Sequence, residues 1–411
     1  MNEQLAILAL FVFFYSVLSG RFERSIISGP MVFVVAGFIM GPVGLGWFNF
    51  ESARLELRTL ADLTLVMFLF IDASNADLVT LRRRFGIPSR MLLIGLPGTF
   101  ALGFGLALIM FDVLSVYEAA LLGIILSATD AALGKAVVSN KAVPARIREG
   151  LNVESGLNDG LCVPILFVFI ALELDLEQHS GSQLIIHFLS EELGIGLAVG
   201  LVVAGIGTWV MKACLKLGWI SEIWIQISVI ALAFACFSVA QSLGGSGYIA
   251  AFTGGMFFGY RAKGSTHEIE YGTEVIGETL ALLTWLLFGA AVVGRVLVEF
   301  TWPIIFYAVL SLTIVRMLPI YISLAGSGEK PYSRLFLGWF GPRGLASIVF
   351  AVIVLDEGLE GAGFIAVVVA CTVILSLIAH GISANPLVKW LIARERAEPA
   401  GKPSDIDPGP V

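Results

Sequence analysis

The chain is short of charge. Asp, Glu, Lys and Arg together make up 14 % of its 411 residues, whereas 57 % are hydrophobic and the mean hydropathy is +0.91. That scarcity excludes a soluble protein of several globular domains, where roughly a quarter of residues carry charge. Cysteine is sparse as well: Cys162, Cys214, Cys236 and Cys371 stand singly in apolar segments, with neither metal-ligand spacing nor disulfide-like pairing, and read as small hydrophobes. The net charge of −7 gives no signal for a nucleic-acid partner. Short alternating strands are missing, and with them the pattern of a transmembrane barrel. What is present is a succession of apolar runs of about 20 residues, the length of a helix that crosses a bilayer.

Thirteen such runs can be drawn, near 4–19, 25–41, 59–76, 91–111, 116–138, 150–172, 190–211, 222–242, 247–260, 275–293, 300–323, 335–355 and 362–386. The ninth, with Gly254, Gly255 and Gly259, is short. The first begins near Gln4 without a basic leader and is expected to be a retained span. Beyond Arg396 a polar, Pro-rich stretch is expected to be a disordered tail with no soluble regulatory domain attached. Basic residues crowd alternate connections: Arg21 and Arg24; Arg82, Arg83, Arg84 and Arg90; Lys135, Lys141, Arg146 and Arg148; Lys212 and Lys216; Arg261 and Lys263; Lys330 and Arg334; then Lys389, Arg394, Arg396 and Lys402. The opposite connections hold only Arg54, Arg58 and Arg295, among Glu173, Asp175, Glu177, Glu191, Glu192, Asp356, Glu357 and Glu360. Because cytoplasmic loops retain Lys and Arg, this bias predicts a multi-pass cell (inner) membrane protein with its N-terminus outside and its C-terminus in the cytoplasm. The outer connection from Glu173 to Ser190 carries His179 and His187, which read as solvated loop histidines.

Ionisable groups inside spans cost several kcal/mol, on the order of 3 or more, so they mark ion paths and need partners. Span six contains Leu151-Asn152-Val153-Glu154-Ser155-Gly156-Leu157-Asn158-Asp159-Gly160. Glu154 and Asn158 are i,i+4, as are Ser155 and Asp159, giving two adjacent polar stripes on a helix. Span five holds Ser127-Ala128-Thr129-Asp130 at its middle, which suggests a helix that unwinds to face a cavity. Asp72 closes span three, either in that cavity or at its cytoplasmic mouth. Arg316 in span eleven requires an anion, and Glu154 is the best unassigned candidate. In span twelve, Gly341-Pro342-Arg343-Gly344 should break a second helix. If spans one to six repeat as eight to thirteen, with span seven as linker, the two broken helices correspond, and six spans per repeat make the repeats antiparallel. That is the inverted-repeat arrangement of secondary transporters, inferred here from spacing and helix breakers alone.

Thr129-Asp130, Asn158-Asp159 within Glu154-Ser155-Gly156-Leu157-Asn158-Asp159, and Gly341-Pro342-Arg343-Gly344, taken in order, resemble the monovalent cation:proton antiporters, in the branch of NhaP-type Na⁺/H⁺ antiporters and sodium–proton exchangers. The likeness covers nearly the whole chain except the tail. Ala131 departs from it, standing where a proline commonly follows the Thr-Asp pair. The resemblance implies a homodimer, with dimerisation helices in 1–89 and 222–296 and a moving core in 90–172 and 297–392. Residues 173–221 would be outer connection and linker helix, and 393–411 the tail. It further implies that Asp159 takes either cation or proton, and that Asp130, Ser155, the Thr129 backbone and Asp72 are further ligands. Asn158 would steady the broken helix, Glu154 and Arg316 would be a structural ion pair, and Arg343 would offset buried negative charge.

Carboxylate, hydroxyl and carbonyl oxygens suit a hard monovalent cation, and cation and proton would compete for the same carboxylate. The expected activity is therefore electroneutral exchange of Na⁺, with Li⁺ alongside, for H⁺, by alternating access. Both loaded forms, but not the empty charged one, would cross the barrier. No resident cofactor is expected, and membrane lipids are the surroundings. A K⁺/H⁺ antiporter or a carrier of a small organic anion, drawn by Arg316 and Arg343, is the alternative. An intramembrane enzyme built on Asp130 and Asp159 would need neither Asn158 nor two broken helices.

Overall fold

The computed structural model describes residues 2–22, 27–47, 50–75, 86–130, 133–178, 190–262 and 267–397. Arg24, Arg82 to Arg84, Ala131, His179, His187, Lys263 and the tail after Ala397 lie outside the described residues. All regular structure among the described residues is helical. In chain order the helices are α1 (Asn2–Phe22), α2 (Gly29–Met40), α3 (Phe50–Asn75), α4 (Ile87–Met110) and α5 (Val116–Ile125). There follow α6 (Lys135–Val138), α7 (Ala145–Gln178), α8 (Ser190–Lys216), α9 (Glu222–Ser242) and α10 (Gly247–Ala262). The last five are α11 (His267–Phe288, extended by a π turn at Gly289–Val293), α12 (Trp302–Ser323), α13 (Pro331–Trp339), α14 (Leu345–Asp356) and α15 (Ala362–Ala397).

Taking α5 with α6, and α13 with α14, as two halves each, these elements make the thirteen passes that the apolar runs outline. Seven of the helices are apolar and long enough to cross a membrane by themselves, and four more are apolar but shorter. The chain is a multi-pass membrane protein. Helix is the outcome because a hydrocarbon layer offers no partner to a backbone N–H or C=O, so each segment must satisfy its own. Several starts are written in the sequence: proline sits in the first turn of α2, α12 and α13, where its missing N–H costs nothing. At α5, Ser115 and Glu118 form a capping box. The helices run past their apolar cores: α7 begins before residue 150 and α15 continues to Ala397, since nothing in water at the bilayer surface forces a helix to stop where apolarity does.

Packing places α7 at the centre, against α3, α5 and α10. On one flank α3, α8, α9 and α10 share a cluster built on Phe70, Ala204, Cys236, Ala250 and Phe258. Gly255 and Gly259, one helical turn apart on α10, let it ride directly on α3. A Cβ at Gly255 would lie 2.3 Å from the Phe70 carbonyl oxygen, and one at Gly259 2.0 Å from that of Ser74. Without a hydrophobic drive between helices in lipid, such backbone approach is a main source of cohesion. Gly259→Leu is therefore expected to destabilise the fold by about 1–3 kcal/mol or more through overpacking. The check is a lowered thermal transition of the purified protein; an unchanged transition would contradict this packing.

Candidate ion-binding site

The site is built where two helices stop inside the membrane. α5 ends at Ile125 and the chain runs without helix through Ala128, Thr129 and Asp130; α13 ends at Trp339 and Phe340 to Gly344 are likewise non-helical. The two interruptions cross and join, the Asp130 N–H donating to the Pro342 carbonyl at 2.8 Å. Each also supplies what the other lacks. Arg343 Nη1 donates to the Ser127 and Ala128 carbonyls, both at 3.0 Å, at the end of α5. The Asp130 carboxylate accepts the Leu345 N–H at 3.0 Å, in the first turn of α14, and the Leu133 N–H at 3.4 Å. A cation thus meets a helix C-terminus and a carboxylate a helix N-terminus, where unpaired backbone groups and the helix dipole favour each. Gly344 makes room for this cap, since a Cβ there would overlap the Asp130 carboxylate.

α15 completes the second interruption. Ser376 Oγ accepts the Arg343 N–H at 2.8 Å, and His380 Nε2 lies 2.9 Å from the Trp339 carbonyl at the end of α13, with its ring stacked on Trp339. Sequence reasoning passed over Ser376 and His380. Their i,i+4 spacing in an otherwise apolar span was the available signal.

α7 brings the remaining groups. Glu154 and Arg316 form a bidentate ion pair at 2.8 and 3.0 Å, both side chains about 1 % exposed. The guanidinium lies flat on Gly341, where a Cβ would fall 2.3 Å from Arg316 Nε. Asn158 ties α7 to the first interruption: its Nδ2 donates to Thr129 Oγ1 at 2.8 Å and to the Ser127 carbonyl at 3.3 Å, and its Oδ1 accepts the Thr129 N–H at 3.2 Å. Ser155 Oγ donates to the Thr129 carbonyl at 2.8 Å and lies 3.2 Å from Thr129 Oγ1.

The cluster leaves buried donors unpartnered at Arg316 Nε, Arg343 Nε and Arg343 Nη2, and one carboxylate oxygen, that of Asp159. Its Oδ1 is out of reach of solvent and has no hydrogen-bond partner. Asp130, Asp72 and Glu154 are all close enough to repel it. Asp72 reaches the cluster from α3, its Cβ lying 2.8 Å from where a Cβ on Gly156 would stand. All nine residues singled out in the sequence, Asp72, Thr129, Asp130, Glu154, Ser155, Asn158, Asp159, Arg316 and Arg343, fall within this one hydrogen-bonded and electrostatic neighbourhood. Among the described residues no three His, Cys, Asp or Glu side chains are grouped as a metal centre. The oxygens gathered here are of mixed kind, from carboxylate, hydroxyl and main-chain carbonyl.

Residues 7–390 match the family model of the transmembrane sodium/hydrogen exchangers. The chain belongs to that family. Among curated members, a K⁺/H⁺ antiporter NhaP of Alkalimonas amylolytica is 27 % identical over 94 % of this chain and 67 % of its own length. A K⁺/H⁺ antiporter NhaP2 of Shewanella sp. (strain ANA-3) is 24 % identical over 86 % of this chain, and the chain spans only 61 % of that protein. A Na⁺/H⁺ antiporter of Zygosaccharomyces rouxii is 27 % identical over 82 % of this chain and 44 % of its own length. The fold is that of the sodium proton antiporter MjNhaP1 from Methanocaldococcus jannaschii, whose structure at pH 8 superposes with a TM-score of 0.75 at 21 % identity, covering 92 % of this chain and 99 % of the other.

For this exchanger-family chain the ion pair generates a two-part prediction. Arg316→Ala leaves a carboxylate buried without a counter-ion and should cost about 3–5 kcal/mol, seen as poor yield or a lowered thermal transition. Glu154→Met with Arg316→Met removes both charges and should recover much of that loss. A single variant as stable as the parent would contradict the role given to the pair.

Proposed function

We propose that the protein is a secondary active antiporter that exchanges a monovalent cation, Na⁺ in the first instance, for H⁺. The observation that carries this reading is the unpartnered Oδ1 of Asp159, one helical turn along α7 from Ser155, whose hydroxyl in turn meets the Thr129 carbonyl. A buried carboxylate oxygen with no donor is costly to leave bare, and either a proton or a cation relieves that cost. The two ligands therefore exclude one another at one carboxylate, and exclusion at an alternately exposed site is sufficient for coupled exchange.

Other residues divide the supporting work. Glu154 and Arg316 spend their charges on each other, Asn158 fixes the interrupted chain by which Thr129 presents its carbonyl, and Arg343 neutralises part of the buried negative charge. Both oxygens of Asp130 accept backbone N–H groups, so we assign it chiefly to capping α14 rather than to carrying the exchanged proton. Asp72 stands on the approach from α3. With Asn158 uncharged and Asp130 engaged, a single carboxylate exchanges, which favours one cation for one proton without net charge movement.

The likeness to NhaP-type proteins supports a homodimer in which α4–α7 and α12–α15 move against α1–α3 and α9–α11, with α8 as the linker. The Arg58–Asp356 ion pair, 2.9 Å between α3 and α14, then ties the two bodies on one side of the membrane. The Lys and Arg bias supports that side as the outer one, with the N-terminus outside. K⁺ as the transported ion is the second reading, favoured by the names of several curated relatives.

Exchange in proteoliposomes across a pH series, with Na⁺, Li⁺ and K⁺, tests these assignments. Asp159→Asn is expected to reduce exchange to background while the protein stays folded; retained ΔpH-driven uptake would refute the site. Ser155→Ala removes one ligand and should raise the apparent KM for the cation about tenfold, the equivalent of ~1.4 kcal/mol. Proton competition requires the apparent KM to rise as pH falls, by at most about tenfold per pH unit for one titrating group. Equal rates with and without an imposed membrane potential are expected; a steep dependence would overturn electroneutrality.

A further inference from the structure

Away from Asp159, the ends of α8 and α10 enclose a cleft of about 300 Å³. That lies at the lower end of the roughly 300–1,000 Å³ usual for ligand sites. Two stripes of α8 and one of α10 form its walls: Gly205 and Trp209, Lys212 and Lys216, and, facing them, Phe257 and Arg261. The spacing is i,i+4 throughout, so each stripe is a continuous helix face. Three cations meet at the mouth, and no carboxylate is among the described lining residues. Lys212 Nζ donates to the Arg261 main-chain carbonyl at the end of α10, which holds the ammonium across the mouth. An ammonium has three N–H donors, so two remain for a ligand.

The cleft is graded along its length. From Gly205 to Lys216 the axis of α8 advances about 16 Å at ~1.5 Å per residue, carrying the walls from apolar to charged. Trp209 is 71 % exposed there, the amphipathic ring that membrane–water interfaces favour. Gly205 leaves the inner end open, with the Phe257 ring 3.5 Å from where its Cβ would stand. A soluble anion would use the charged mouth alone. A molecule with a phosphate at one end and hydrocarbon at the other uses both, and the Arg261 fork and two ammoniums suit phosphate oxygens. We propose that this cleft binds the headgroup of an anionic glycerophospholipid, its phosphate held by Lys212, Lys216 and Arg261 and its chain laid along Trp209 and Phe257. Basic pockets between membrane helices are a recurrent way of holding such lipids.

The test measures thermal unfolding of the full-length protein in dodecyl maltoside. Additions are dioleoylphosphatidylglycerol, dioleoylphosphatidylcholine, or phosphate as its Tris salt, at matched concentration. Phosphatidylglycerol is expected to raise the transition by several degrees, as a ligand of the folded state must, and the other two to leave it near its starting value. In the K216Q/R261Q variant, which spares Lys212, the unliganded transition should stay in place and the phosphatidylglycerol shift should vanish. If the double variant does not fold, K216Q and R261Q separately should each lose most of the shift. An equal shift in the variants, or with phosphatidylcholine, would overturn the proposal. An equal shift with phosphate would also overturn it, making the cleft a site for soluble anions.

Discussion

Stopping a helix in the middle of a hydrocarbon layer leaves up to four carbonyls on one side and four N–H groups on the other with nothing in lipid to pair with. Two helices of this chain stop there, and the contact between them is what the rest of the structure is arranged around. Arg343 from one interruption meets the carbonyls at the end of α5, and Asp130 from the other meets the first N–H groups of α14. A main-chain bond from Asp130 to Pro342 fixes the register between them. Neither interruption is tolerable alone. Together they put a carboxylate, a guanidinium and several carbonyls at mid-membrane, with both oxygens of the carboxylate and one nitrogen of the guanidinium bonded to backbone.

That assignment gives the cluster's unpartnered acceptor its meaning. Charges in the neighbourhood are matched locally: Glu154 with Arg316 in a bidentate pair, Asp130 with backbone N–H groups, Arg343 with carbonyls. Asn158 and Ser155 then hold Thr129 from α7. Asp159 Oδ1 is left over, and under the proposed exchange this buried acceptor is where a cation or proton would find its binding energy. The rigid surroundings matter as much as the orphan. A floppy cluster would fold Asp159 into its own hydrogen bonds and lose the reason to bind anything.

Cohesion elsewhere follows a different rule. Lipid tails are as apolar as leucine, so helices gain little from hiding apolar faces from them, and the chain relies on glycine-mediated approach of α10 to α3. The polar tie of Arg58 with Asp356 between the two proposed bodies lies near the helix ends. Such an arrangement suits two bodies proposed to shift against each other, because surface ion pairs are individually weak.

Span number and helical class were legible in the sequence because a bilayer imposes a length of about 20 apolar residues and forbids other backbone structures. The two interruptions were legible too, from Thr129-Asp130 and Gly341-Pro342-Arg343-Gly344, since polar or helix-breaking residues in an apolar run need a reason. The pairing of Glu154 with Arg316 followed from elimination among few charges. The resemblance gave Asp130 as a further ligand; its cap on α14 was not legible, because only the crossing of the two interruptions brings its carboxylate onto the Leu345 N–H. The partners of Ser376 and His380 were hidden for the same reason, being main-chain groups of a segment distant in sequence. Composition and periodicity fix where a chain must be helical in lipid, because that depends on each segment and its solvent. Which buried polar group remains unpaired depends on every neighbour at once, and only the tertiary structure decides it.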